Sequence, residues 1–187
     1  QTCALPICEN LIEDKVISVG PKPNDLLMHD YKVYVICGES NSMVIYDLKE
    51  DKSIGEVATE SWPHSIDMDF NNKLLFVSNL ESDSITVISM DNYDTVENIQ
   101  VPEYPTKIRV SNDKKRIYIC CSYLGKDTRG YIDVINIGNF QKIARVMVGY
   151  SPIDMIEDDD NIYVSNFTDG TIRSEEHTSE LQSLPAI

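Results

Sequence analysis

The sequence predicts an all-β fold, a β-propeller. Three observations carry that prediction. A proline recurs at Pro23, Pro63, Pro105 and Pro152, at spacings of 40, 42 and 47 residues. Each is followed, eleven or thirteen residues later, by an aromatic-led apolar segment: Tyr34-Val35-Ile36-Cys37, Phe76-Val77-Ser78-Asn79, Tyr118-Ile119-Cys120-Cys121 and Tyr163-Val164-Ser165-Asn166. Only strand-type patterns lie between these landmarks, with no helical apolar period. Self-similarity at a period near 40 residues, built from short strands, is the signature of propeller blades.

Each repeat runs through the same elements. The first strand starts at the proline, which fixes φ where no ladder donor is yet needed. Ser65-Ile66-Asp67-Met68-Asp69-Phe70 and Lys107-Ile108-Arg109-Val110 alternate strictly. A polar turn follows, such as Asn71-Asn72-Lys73, rich in residues that tolerate a left-handed backbone. The aromatic-led second strand is apolar throughout, as expected between neighbouring blades. A second loop leads to a third strand, exemplified by Met43-Val44-Ile45-Tyr46-Asp47 and Ile85-Thr86-Val87-Ile88. An outer strand such as Lys142-Ile143-Ala144-Arg145-Val146 completes the unit. Both the first and the last sheet are expected to be incomplete.

The two ends do not follow the repeat. The run from Arg173 to Gln182 back-translates to AGA TCG GAA GAG CAC ACG TCT GAA CTC CAG. The reverse complement of its first part translates as Gln-Thr-Cys-Ala-Leu-Pro-Ile, the residues Gln1 to Ile7. One DNA string read on opposite strands therefore accounts for both ends, as a translated sequencing adapter would. The expected division is a tail over 1–8, a partial propeller of about four repeats over 9–172, and a tail over 173–187, with few contacts made by the tails.

The chain has 187 residues and a formal charge of −15. The segment after Ile172 holds one Arg and three Glu, so 16 basic and 31 acidic residues become 15 and 28, a net −13 for the repeats. That excess disfavours a broad nucleic-acid footprint and anionic membrane surfaces, which need clustered Lys and Arg. No run approaches the roughly 18 apolar residues of a membrane helix, so no membrane insertion is expected. Cys37 and Cys121 fall at equivalent repeat positions, too far apart for a disulfide. They and Cys120 read as small buried hydrophobes. No C-x-x-C pair supports zinc.

The unit V-G-x-x-P, alternating strand, polar turn, Y-V-x-N, V-I-D resembles the YVTN-type β-propeller repeat of YncE-like bacterial proteins. Tyr163-Val164-Ser165-Asn166 and Phe76-Val77-Ser78-Asn79 carry the resemblance best, and Cys37 and Cys121 replace the asparagine in the other two repeats. A WD-type propeller is disfavoured, because Trp62 is the single tryptophan and no Trp-Asp pair exists. The resemblance implies about four blades of a seven-bladed ring and a binding or scaffold role. It does not fix a compartment.

Motif chemistry is sparse. His29 and His64 are the histidines within the repeats, and neither has a second ligand at metal spacing. The acidic run Glu157-Asp158-Asp159-Asp160 falls at a turn and lacks the pattern of a calcium loop. Asn166-Phe167-Thr168 is formally a glycosylation sequon. No phosphate loop, nucleophile elbow or H-E-x-x-H is present. No catalytic residue, metal or cofactor is read from the sequence.

One constellation stands out. Trp62, Tyr104 and Tyr150 lie at or beside the position before the proline in successive repeats, and His64 follows Pro63. The loops after Asn79 and Asn166 open on the same side. Aromatics with amide neighbours make a plausible platform at the channel mouth. The expectation is a non-catalytic propeller that binds a protein partner or small ligand through Trp62, His64, Tyr104, Tyr150, Asn79 and Asn166. A lactonase- or quinoprotein-type enzyme, with its catalytic residues in the half of the propeller outside this sequence, is the alternative. A single-strand nucleic-acid binder, stacking bases on the three aromatics, is the third reading.

Overall fold

The computed structural model describes residues 16–158 and 161–176. The expected tail over 1–8 and residues 177–187 lie outside the described residues, as do Asp159 and Asp160. Among the described residues there are fifteen strands and no helix.

The strands form four antiparallel sheets in chain order. The first holds β1 (Pro23–His29), β2 (Lys32–Cys37), β3 (Ser42–Asp47) and β4 (Lys52–Ala58). The second holds β5 (Pro63–Asp69), β6 (Leu74–Asn79), β7 (Ser84–Ser89) and β8 (Thr95–Gln100). The third holds β9 (Pro105–Val110), β10 (Arg116–Cys121), β11 (Tyr131–Asn136) and β12 (Lys142–Met147). The fourth holds β13 (Pro152–Asp158), β14 (Asn161–Asn166) and β15 (Thr171–Glu176). Each sheet opens on one of the repeating prolines.

The first sheet has all four strands, which corrects the expectation that it would be incomplete: β1 to β4 come from the single repeat that opens on Pro23. The last sheet has three. Its third strand continues past Ile172, and Arg173, Ser174, Glu175 and Glu176 pair with Val164, Tyr163, Ile162 and Asn161 of β14.

Neighbouring sheets meet through β1, β5, β9 and β13, which contact one another in series. These are the inner strands of a propeller arc. The sheet faces pack by alternation, since successive side chains point to opposite faces. Tyr34, Ile36, Met43 and Ile45 of the first sheet meet Ile66, Leu75, Val77 and Ile88 of the second. Phe76, Ile85 and Val87 meet Ile108, Ile117, Ile119 and Cys121 of the third. Tyr118, Cys120, Ile132 and Val134 meet Met155, Ile162 and Val164 of the fourth. Cys120 and Cys121 thus serve opposite faces, and Cys37, Cys120 and Cys121 are free and buried. Burial holds the Cys120 and Cys121 thiols well above the usual thiol range.

Turn length explains the two spacings from proline to aromatic. In the first repeat Asp30 and Tyr31 alone join β1 to β2, with φ of 47° and 61°. Two consecutive positive φ angles are what a two-residue type I′ hairpin requires. The second and third repeats use longer turns, each containing a lysine with positive φ, Lys73 at 55° and Lys114 at 58°.

Candidate functional site

Each inner strand begins with two local distortions. The residue before each proline adopts a left-handed backbone: Lys22 (φ 54°), Trp62 (56°), Tyr104 (57°) and Ser151 (51°). Such a conformation is disfavoured for non-glycine residues by about 1 kcal/mol or more. A repeated backbone bond offsets it. The carbonyls of Lys22, Trp62, Tyr104 and Ser151 accept from the amides of Gly38, Leu80, Ser122 and Phe167 at 2.8–2.9 Å. The strand start is therefore tied to the loop that follows the second strand of the same sheet.

The second distortion follows the proline. In all four sheets the ladder skips one residue: Asn24 between Pro23 and Asp25, His64 between Pro63 and Ser65, Thr106 between Pro105 and Lys107, and Ile153 between Pro152 and Asp154. These are β-bulges, which release a residue from pairing and re-aim its side chain. Three of the four released side chains reach the next inner strand. Asn24 Nδ2 donates to Pro63 O at 2.7 Å, His64 Nδ1 to Thr106 O at 2.7 Å, and Thr106 Oγ1 to Pro152 O at 2.8 Å. Ile153, on the last sheet, is exposed.

The bulges and the residues after them line a cleft of about 480 Å³ at the inner edge of the arc. Every inner strand contributes a pair: Asn24 and Asp25, His64 and Ser65, Thr106 and Lys107, Ile153 and Asp154. Asp25 Oδ2 is a junction. It accepts from Ser65 Oγ at 3.1 Å and from the Ile66 amide at 3.3 Å, and Lys107 Nζ lies 3.5 Å away across the cleft. Asp25 and Asp154 each accept the next residue's amide on Oδ1, which orients the carboxylates. Because the His64 Nδ1 donates to a carbonyl, the ring in its neutral form carries its proton there. Nε2 is then an acceptor with no hydrogen-bond partner among the described residues. Further along the arc, Asp67, Arg109, Asn112 and Glu157 border a second polar hollow of about 280 Å³.

The six residues singled out from the sequence fall in three environments. His64 lines the cleft. Trp62 and Tyr104 occupy the left-handed position, and their amides are anchored to the preceding blade, donating to Asn41 Oδ1 at 2.8 Å and Asp83 Oδ1 at 2.9 Å. The Trp62 indole lies over Gly38, where an added Cβ would meet Cε2 at 3.3 Å. Tyr104 borders a separate cleft of about 380 Å³ with Leu80, Glu81, Asp83, Glu103 and Lys126. Tyr150 sits one residue earlier than its counterparts, since Ser151 takes the left-handed position, and its amide donates to Asp169 Oδ2 at 3.0 Å within its own blade.

Asn79 and Asn166 are buried at the ends of β6 and β14. Asn166 Oδ1 accepts the Gly149 amide at 2.9 Å. Asn79 Nδ2 donates to Ser84 O, Ser84 Oγ and Thr86 Oγ1, while its buried Oδ1 has no partner among the described residues. The structure therefore does not bring the six together at one surface.

Sequence reading missed Asp25, Lys107 and Asp154. A signal existed: all three stand two residues after the repeating proline, the position Ser65 fills in the second repeat. Position alone gave no warning that a bulge would turn them into one cleft. Among the described residues, no group of three or more His, Cys, Asp or Glu side chains is placed to hold a metal. No described helix is long and apolar enough to cross a membrane.

No family model matches the chain. No curated protein matches it with significance. Solved structures do match. Hydrazine synthase of Kuenenia stuttgartiensis aligns with a TM-score of 0.67 at 23% identity, over 89% of this chain and 53% of that one. A 6-phosphogluconolactonase candidate from Bacteroides uniformis aligns with a TM-score of 0.71 at 13% identity, over 82% of this chain and 50% of that one. The chain spans about half the length of these structures. At such identities the likeness establishes the fold, a β-propeller arc, and leaves activity to the residues.

Proposed function

We propose that the chain is a non-catalytic propeller module that binds a small polar ligand, or a polar segment of a partner, in the cleft at its inner edge. One observation carries this reading. The same bulge recurs in four blades and delivers eight residues from four strands to one concave site. Bulges of this kind gather near binding and active sites. The cleft offers matched functions: an acceptor at His64 Nε2, a cation at Lys107 and carboxylates at Asp25 and Asp154. A ligand carrying both donors and an anionic group suits that set. Trp62, Tyr104 and Tyr150 stand on the linkers leading into the cleft strands, outside the cleft itself, and Asn79 and Asn166 close the ends of β6 and β14.

The test is a thermal-shift screen of polar metabolites, followed by titration of any hit into His64→Ala and Lys107→Met. Loss of binding in both variants supports the cleft. Unchanged binding in both overturns it.

A second reading, an enzyme of lactonase or quinoprotein type, draws on the same geometry. An imidazole with a free Nε2 beside a lysine and two carboxylates is equipped for proton transfer. Hydrolysis of a sugar lactone by the chain, abolished in His64→Ala, would replace the binding reading.

A further inference from the structure

The strands of the third sheet carry five cationic side chains, Lys107, Arg109, Arg116, Lys142 and Arg145. Four of them lie 2.6–3.7 Å from a carboxylate: Lys107 meets Asp25, Arg116 meets Asp113, and Lys142 and Arg145 share Asp133. Arg109 is the exception. It is half-buried on β9 and has no hydrogen bond or ion pair among the described residues. The third sheet is packed on both faces, by the second sheet and by the fourth, so Arg109 does not lie on an outer face of the arc.

Arg109 borders the polar hollow of about 280 Å³, and both carboxylates of that hollow are engaged elsewhere. Asp67 accepts the Met68 amide on Oδ1 and the Val110 amide on Oδ2, both at 2.8 Å. Glu157 accepts the Asn112 amide on Oε2 and the Tyr118 hydroxyl on Oε1. The guanidinium keeps its whole fork of donors, which suits a planar anion held by two parallel N–H bonds. Asp67 and Glu157 decide which anion, because their charge opposes a phosphate dianion more than a singly charged carboxylate. Lys107 stands two residues before Arg109, on the same side of β9 and roughly 6–7 Å along the strand. It lines the neighbouring cleft with His64 and Ser65. A hydroxyl fits that end: it donates to His64 Nε2 and accepts from Lys107, whereas Lys107 repels an ammonium.

We propose that the ligand of the inner-edge cleft is a small hydroxylated carboxylate, with its carboxylate on the Arg109 fork and its hydroxyls between His64 Nε2 and Lys107 Nζ. The inference rests on the cleft reading and extends it. It adds Arg109, which lies outside the cleft, as the residue that selects an acid over the neutral polyol.

L-Threonate and threitol share a carbon chain and differ in the carboxylate. Both are titrated calorimetrically into the parent chain, Arg109→Gln, Arg109→Lys and His64→Ala, with circular dichroism as the check on folding. The expected result is that threonate binds the parent about tenfold or more tighter than threitol. Arg109→Gln should bring threonate down to the level of threitol and leave threitol unchanged. Arg109→Lys keeps the charge and loses the fork, so part of the preference should go, and it carries the test if the glutamine variant does not fold. His64→Ala should weaken both ligands. Equal affinities in the parent, no binding of threonate, threonate unchanged in both Arg109 variants, or tighter binding of inorganic phosphate than of threonate overturns the proposal; loss of threitol in His64→Ala would then still uphold the cleft. Threonate lost in Arg109→Gln but unchanged in His64→Ala overturns the cleft reading and the hydroxyl placement with it.

Discussion

His64 Nδ1 lies 2.7 Å from the carbonyl oxygen of Thr106, so a bulged residue of the second sheet is pinned to a bulged residue of the third. The bond holds two blades together and at the same time leaves Nε2 as the free face of the ring. Nitrogen-detected NMR should find the neutral ring as the Nδ1–H tautomer, its proton protected from exchange. A predominant Nε2–H tautomer would contradict the arrangement.

Asp133 of β11 is 1% exposed and takes a two-pronged ion pair from Arg145 of β12, at 2.6 and 2.9 Å. Arg145→Ala leaves a buried carboxylate with Lys142 Nζ as its remaining cation, 3.7 Å away. Removing one partner of a buried pair costs about 3 kcal/mol. Asp133→Asn should cost less, because Arg145 can turn to water. Urea denaturation of the two variants checks the order.

The two buried asparagines should respond differently to cysteine, the residue that stands at the same position in the first and third repeats. Asn166→Cys strands the Gly149 amide, a loss of about 1–3 kcal/mol. Asn79→Cys removes donors to Ser84 and Thr86 but also removes an acceptor that has no partner. It should be the milder change by chemical denaturation.

Asp113 governs an acid limb. Its partial burial opposes ionisation, but bonds from Ser111 Oγ, the Lys115 amide and Arg116 outweigh that and hold its carboxyl below the usual carboxylate range. A depressed folded pKa contributes stability that is full above the unfolded value near 4 and fades as pH falls through the folded one. Asp113→Asn should therefore lower stability at neutral pH and flatten its decline below about pH 4. A decline as steep as the parent's would contradict this.

Much of the fold was legible because it rests on spacing. The prolines mark the first residue of every inner strand, and the alternation in β5 and β9 gives their register. The first sheet could not be counted as whole, since nothing in residues 9–22 says whether an outer strand from that side would be borrowed. The site was only partly legible. His64 lines the candidate cleft, but Trp62, Tyr104 and Tyr150 were grouped by nearness to a proline, whereas the left-handed turn puts Tyr150 out of step with the other two. Asp25, Lys107 and Asp154 converge through backbone bulges, a displacement that no side-chain pattern records.

The measurement that bears most directly on the account is calorimetric titration of a screened polar ligand into the parent chain, His64→Ala, Lys107→Met and the distant control Lys49→Ala. The cleft reading predicts that affinity falls by about tenfold or more, roughly 1.4 kcal/mol, in each of the first two variants and holds in the third. Affinity within about twofold of the parent in both cleft variants, with the fold intact, would contradict it.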